Sequence, residues 1–121
     1  MAKLTDEAKQ LISEFGPGLV ATASRDGKPN ISLKGSFRVV DDEHVAFAEI
    51  ASPRTMANLG EHPQVSAMVF DRSTRKGCRI WGKAEIVDSG DQFDAISSEY
   101  EAKGMKVKHL VKIDVEDVAT F

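Results

Sequence analysis

The sequence predicts a mainly β domain with flanking helices, its antiparallel sheet closed toward a barrel. Three observations carry that reading. Six segments show strand-type alternation or short apolar runs. Most of the links between them are of hairpin length, which favours antiparallel pairing. Closing the sheet would remove the exposed edges that an open one presents. With 121 residues and no internal repeat, low-complexity tract or composition break, one domain spanning residues 1–121 is expected.

The elements follow in order. Leu4 to Phe15 reads as an amphipathic helix, because Leu4, Ala8, Leu11, Ile12 and Phe15 recur at helical spacing. Thr5 or Asp6 caps it, and Gly16-Pro17-Gly18 ends it. Leu19 to Ser24 is a short strand, and Asp26-Gly27 is a hairpin turn whose glycine accepts positive φ. Asn30 to Val40 is the clearest strand. Ile31, Leu33, Phe37 and Val39 share one face, expected to be the apolar one; Asn30, Ser32, Lys34, Ser36 and Arg38 share the other. Gly35 on the apolar face marks a bulge or the close approach of another group.

Asp41-Asp42-Glu43 turns the chain into a strand from His44 to Ile50. Its Val45 to Ala48 run is apolar on both faces, so both should be covered. A short helix starts near Pro53, with Gly60 as its stop and Pro63 beyond. Gln64 to Phe70 and Cys78 to Val87 are strands, linked by a polar, basic loop. Asp91 to Ala102 is a second amphipathic helix, facing the core with Phe93, Ile96 and Tyr100. Lys106 to Phe121 is the last strand, with Phe121 itself expected to fray.

Composition narrows the function classes. Sixteen basic and nineteen acidic residues give a net charge of -3, which argues against nucleic acid as a general partner. One cysteine, Cys78, allows no intrachain disulfide and makes a zinc cluster unexpected, in keeping with a cytoplasmic location. No apolar run approaches a membrane span. His44, His62 and His109 lack metal-ligand spacing, and no Ser-His-Asp order or dinucleotide fingerprint occurs.

The chemistry-bearing stretch is Ser52-Pro53-Arg54-Thr55. Ser52 is a good N-cap, and Pro53 suits the first helical position. Arg54 and Thr55 then stand in the first turn, where acidic residues would normally complement the dipole. A cation and a hydroxyl there suggest a bound anion such as phosphate; a plain cap beside a solvated arginine is the alternative. Ser32, Lys34 and Ser36 form a second polar ladder. If the two strands before Ser52 form a hairpin, Lys34 lies opposite residues near Glu49, and one phosphate would meet Lys34, Arg54 and the helix N-terminus. A solvated strand face is the alternative there too.

Taken together, "VATASRDGKPNISLKGSFRVV" and "SPRTMANLGEHPQVSAMVF" resemble the pyridoxamine 5′-phosphate oxidase-like, FMN-binding split-barrel family. "GCRIWGKAEIV" extends the likeness more loosely toward the C-terminus. The resemblance implies a homodimer with non-covalent FMN in a groove at the interface. It places Ser32, Leu33, Lys34 and Gly35 along the flavin and ribityl chain. Ala51 and Ser52 would border the ring or tail, and Arg54 and Thr55 would hold the phosphate. Asn58 would support the phosphate or tie its helix to the sheet. Trp81 would pack in the core or lie near the partner's flavin.

The implied activity is that of a small oxidoreductase taking electrons from a reduced nicotinamide or a protein donor. A non-catalytic FMN-binding or electron-transfer protein is the alternative, as is the same fold with deazaflavin or haem. No residue stands out as a proton-transfer catalyst. The chain looks like a short form of the family: Asn30-Ile-Ser-Leu-Lys34 stands where classical members carry an arginine-rich strand.

Overall fold

A computed structural model describes residues 2–121. The chain runs α1 (Asp6–Phe15), β1 (Gly18–Ala23), β2 (Pro29–Lys34), β3 (Arg38–Asp41), β4 (His44–Glu49), α2 (Pro53–Glu61), β5 (Gln64–Phe70), β6 (Gly77–Val87), α3 (Asp91–Glu101) and β7 (His109–Thr120). All strands belong to one antiparallel sheet in the order β2-β1-β5-β6-β7-β4-β3. Its two edges, β2 and β3, are consecutive in the chain and joined only through Gly35, Ser36 and Phe37. Four Cα–Cα steps span at most about 15 Å, so the edges must approach and the sheet must curl. That gives the antiparallel split barrel expected from the sequence.

Gly18 makes the curl sterically possible. A Cβ at this position would lie 2.6 Å from Cγ of Phe37, whose ring is buried. The ring of the edge-to-edge turn thus rests on the bare backbone of β1. Inside the barrel, Val20, Val45, Phe47, Val69, Ile80, Val111, Ile113 and Val115 are fully enclosed. Helix α1 covers this core with Ala8, Leu11 and Ile12, its first turn capped by the Thr5 hydroxyl, which accepts from Ala8 N at 3.1 Å. On the opposite side of β4 and β7, α3 lays Ile96 and Tyr100 over Ala46, Ala48 and Leu110. Strand β4 is therefore covered on both faces, which explains its unbroken apolar run.

Three expectations are corrected. The stretch from Asn30 to Val40 is two strands, not one: Phe37 N donates to Lys34 O at 3.2 Å, and the chain turns there. The six strands become seven. Strand β2 pairs with β1 and β3 with β4, so Lys34 lies opposite Gly18, while Glu49 pairs with His109 of β7. The faces of β2 are also reversed. Ile31 and Leu33 are 64% and 66% exposed, whereas Lys34 is 8% exposed. The inner side of β2 packs on the polar start of α2, with Lys34 also reaching over Phe47 at the rim of the core.

Smaller differences have local causes. Gly60 does not stop α2; the helix continues to Glu61 and ends before Pro63. The last strand starts at His109 rather than Lys106. Phe121 is not frayed: its backbone N and O each bond Gly77 at 3.0 Å, and its ring stacks on Phe70 at 6.2 Å. Cys78 is buried in β6, where burial pushes its thiol pKa up. Trp81 is half-buried beneath the Arg79 guanidinium, 5.8 Å from its ring.

Candidate functional site

Helix α2 begins with an opened cap. Pro53 occupies the first turn as expected, but the Ser52 hydroxyl makes no capping bond to a first-turn N–H. It accepts instead from Lys34 Nζ at 2.6 Å and bonds Glu49 Oε1 at 3.2 Å. The same carboxylate oxygen accepts from Ser52 N at 2.7 Å. Glu49, 3% exposed at the end of β4, thus holds Ser52 by both its backbone and its hydroxyl. With the hydroxyl committed sideways, the first-turn N–H groups of α2 have no side-chain cap.

Lys34 reaches this point from the far edge of the sheet. Its Nζ lies 5.3 Å from the Phe47 ring centre, so the stem crosses the barrel mouth over apolar core. Burial pulls its pKa below the ordinary lysine value, and the charge of Glu49 opposes that shift. Arg54, by contrast, is exposed and has no carboxylate partner among the described residues. One cation is fixed and buried; the other stands free beside the same helix end.

Thr55 is fully buried, its hydroxyl 2.5 Å from Ser32 Oγ and within 3.4 Å of Asn30 Nδ2. Asn58, one turn later, donates to Thr22 Oγ1 at 3.0 Å in a buried bond. These contacts fasten α2 to β2 and β1. They explain why Ser32 and Asn30 face inward: the alternation of β2 matches hydroxyls and amides on α2. Ser36 is also committed, accepting from Ala48 N at 2.8 Å.

The walls so built enclose a groove of about 380 Å³. Asn30 to Lys34 form one side and Ala51 to Thr55 the other. Ser32, Leu33, Lys34, Ala51, Ser52, Arg54 and Thr55 all meet there. Gly35 does not line the groove: it sits exposed in the turn after β2 with open space around it, so neither a bulge within a strand nor a close approach explains it. Asn58 lines an adjoining hollow instead. Sequence reasoning named Glu49 only as a neighbour of Lys34 and missed that it organises Ser52. Its signal was a carboxylate closing an apolar strand run, three residues before the cap. The outer lip of the groove is apolar, since Ile31 and Leu33 point away from the barrel.

A family model described as pyridoxamine 5′-phosphate oxidase matches residues 4–121. The chain belongs to that family. No curated protein sequence matches it. Among solved structures, HupZ from Group A Streptococcus is 29% identical, with a TM-score of 0.89 over 98% of this chain and 94% of that one. An FMN-binding protein from Syntrophomonas wolfei subsp. wolfei is 20% identical, with a TM-score of 0.86 over 95% of this chain and 84% of that one. HutZ from Vibrio cholerae, a haem storage protein, is 21% identical, with a TM-score of 0.73 over 98% and 94% of the two chains. The pyridoxamine 5′-phosphate oxidase fold also serves an F420 reductase. It is therefore shared by proteins of several cofactors. No helix among the described residues is long and apolar enough to cross a membrane.

Proposed function

We propose that this protein is an FMN-binding oxidoreductase acting as a homodimer, with the flavin held between β2 and the start of α2. One observation carries the reading: the α2 N-terminus lacks its serine cap and lies between buried Lys34 and unpaired Arg54. Free N–H groups, a helix dipole and two cations fit a phosphate dianion. Thr55 contributes through its backbone, because its hydroxyl is already bonded to Ser32. Backbone groups of Leu33 and Ala51, which line the groove, would meet the flavin's polar edge. The flavin would supply the redox chemistry when bound, and this chain would supply position and charge.

The dimer reading rests on the outer sheet face. Ile31 and Leu33 stand on an edge strand, and Leu33 adjoins Leu19, which in turn adjoins Met68. An apolar edge of this kind invites a second chain. A copy seated there would roof the groove and keep water from the flavin. Reduced nicotinamide or a protein donor would supply electrons; turnover of NAD(P)H separates an enzyme from a non-catalytic electron carrier. Among the residues lining the groove there is no His, Cys, Met or Tyr. The absorption spectrum of the loaded protein distinguishes haem from a flavin. Deazaflavin shares the need for a phosphate grip, and the absorption spectrum distinguishes it.

Arg54→Ala tests the phosphate grip. Losing one charged donor should weaken FMN binding about 10- to 100-fold, while riboflavin, which lacks the phosphate, should bind almost unchanged. Equal losses for both ligands, or no loss for FMN, would overturn the assignment.

A further inference from the structure

The groove does not end at the phosphate position. A second hollow of about 190 Å³ adjoins it, and the two share Asn30 and Arg54 as common wall. Beyond Arg54 it is lined by Lys28, Pro29, Ala57 and Asn58. Arg54 is therefore a post between two chambers rather than the far end of one.

We infer that this hollow is a subsite for a second anionic group carried beyond the flavin phosphate, as in a flavin linked through a diphosphate. The inference rests on the FMN reading above and extends it. Lys28 sits on the turn before β2, exposed and without a carboxylate partner among the described residues. Its backbone N–H is used by Ser24 Oγ at 3.0 Å, which fixes the turn and leaves the ammonium free to swing over the hollow. The nearby acids are engaged elsewhere: Asp26 accepts from Ser24 at 2.8 Å, and Glu61 faces Arg25 at 3.7 Å. Arg54 has five donors in a planar fork, so one guanidinium can bridge two successive phosphates. The amides of Asn30 and Asn58 each donate one N–H, to Thr55 and Thr22, which fixes two side chains in the wall of the hollow. Pro29 and Ala57 give the hollow an apolar patch for a flat ring or sugar face.

The test is a fluorescence titration of riboflavin, FMN and FAD into the wild type, Lys28→Gln and Lys106→Gln. The last replaces an exposed lysine in the loop before β7. If the subsite exists, FAD binds the wild type at least as tightly as FMN. Lys28→Gln then weakens FAD about five- to tenfold and changes FMN less than twofold. Lys106→Gln leaves all three ligands unchanged. Rejection of FAD with retention of FMN overturns the subsite and leaves the FMN reading standing. So do equal effects of Lys28→Gln on FMN and FAD, which mean general attraction. Failure of every flavin to bind overturns both readings.

Discussion

Gly18→Ala probes the closure that brings Lys34 to the site. The new Cβ would lie 2.6 Å from Cγ of Phe37, and 2.8 Å from both its Cβ and Cδ2. Phe37 is 5% exposed, so its ring has nowhere to move without shifting the Lys34–Phe37 turn. Overpacking of this kind costs about 1–3 kcal/mol. Alanine recovers roughly 0.5–1 kcal/mol of the backbone entropy that glycine loses in a strand. With mid-values of about 2 and about 0.75 kcal/mol, the net loss is about 1.25 kcal/mol. Unfolding entropy of about 2.1 cal/mol/K per residue, over 121 residues, gives about 0.25 kcal/mol/K. The melting temperature should therefore fall by roughly 5 °C in a scanning calorimeter.

Gly35→Ala is the control, because a Cβ there meets nothing within 4 Å. It should change stability by less than about 0.5 kcal/mol. The Gly18→Ala penalty should shrink in a Phe37→Leu background, since the two sites touch. Because Gly18 pairs with Lys34, the variant should also bind FMN more weakly. Wild-type stability in Gly18→Ala, or a penalty indifferent to Phe37, would refute the closure argument.

Two predictions concern pH. Burial lowers the Lys34 pKa, so FMN affinity should decline on the alkaline side before an ordinary lysine would titrate, and Lys34→Arg should move that decline upward. In the absence of flavin the unfolded chain holds the extra proton, so Lys34's contribution to stability rises with pH between its folded and unfolded pKa; a chemical-denaturation series across alkaline pH reads both signs. The second concerns Glu99, whose two oxygens each meet Arg38 at 2.8 Å, a bond that lowers its pKa. Its stabilisation is fully present above the unfolded value and is lost as pH falls through the lower folded one. Both side chains are more than a third exposed, so Glu99→Gln should cost under about 1 kcal/mol at neutral pH. That cost should vanish in acid and shrink in high salt.

Much of the fold was legible because its strands obey simple alternation. Gln64–Phe70 is read to the residue, since Pro63 and Asp71 bound it and Val65, Ala67 and Val69 all point inward. The double coverage of β4 was legible from Val45 to Ala48. What failed was β2, and for a definite reason. Period-two alternation runs unbroken through Gly35, so one strand and two strands sharing a turn look alike. Alternation also reveals two faces without saying which is buried. Here Ile31 and Leu33 lie outside because Ser32 and Lys34 have partners on α2 inside. The hairpin before Ser52 exists as β3–β4, but Lys34 lies outside it and meets Ser52 across the barrel mouth rather than along a ladder. The opened cap was not legible, since only Glu49's position shows why the Ser52 hydroxyl turns away.

The most direct measurement is equilibrium dialysis of the purified protein against excess FMN, followed by a visible spectrum and a native mass. We expect retained, perturbed flavin bands and the mass of a dimer carrying one FMN per protomer. A colourless monomer would contradict both the phosphate grip at α2 and the partner copy over Ile31 and Leu33.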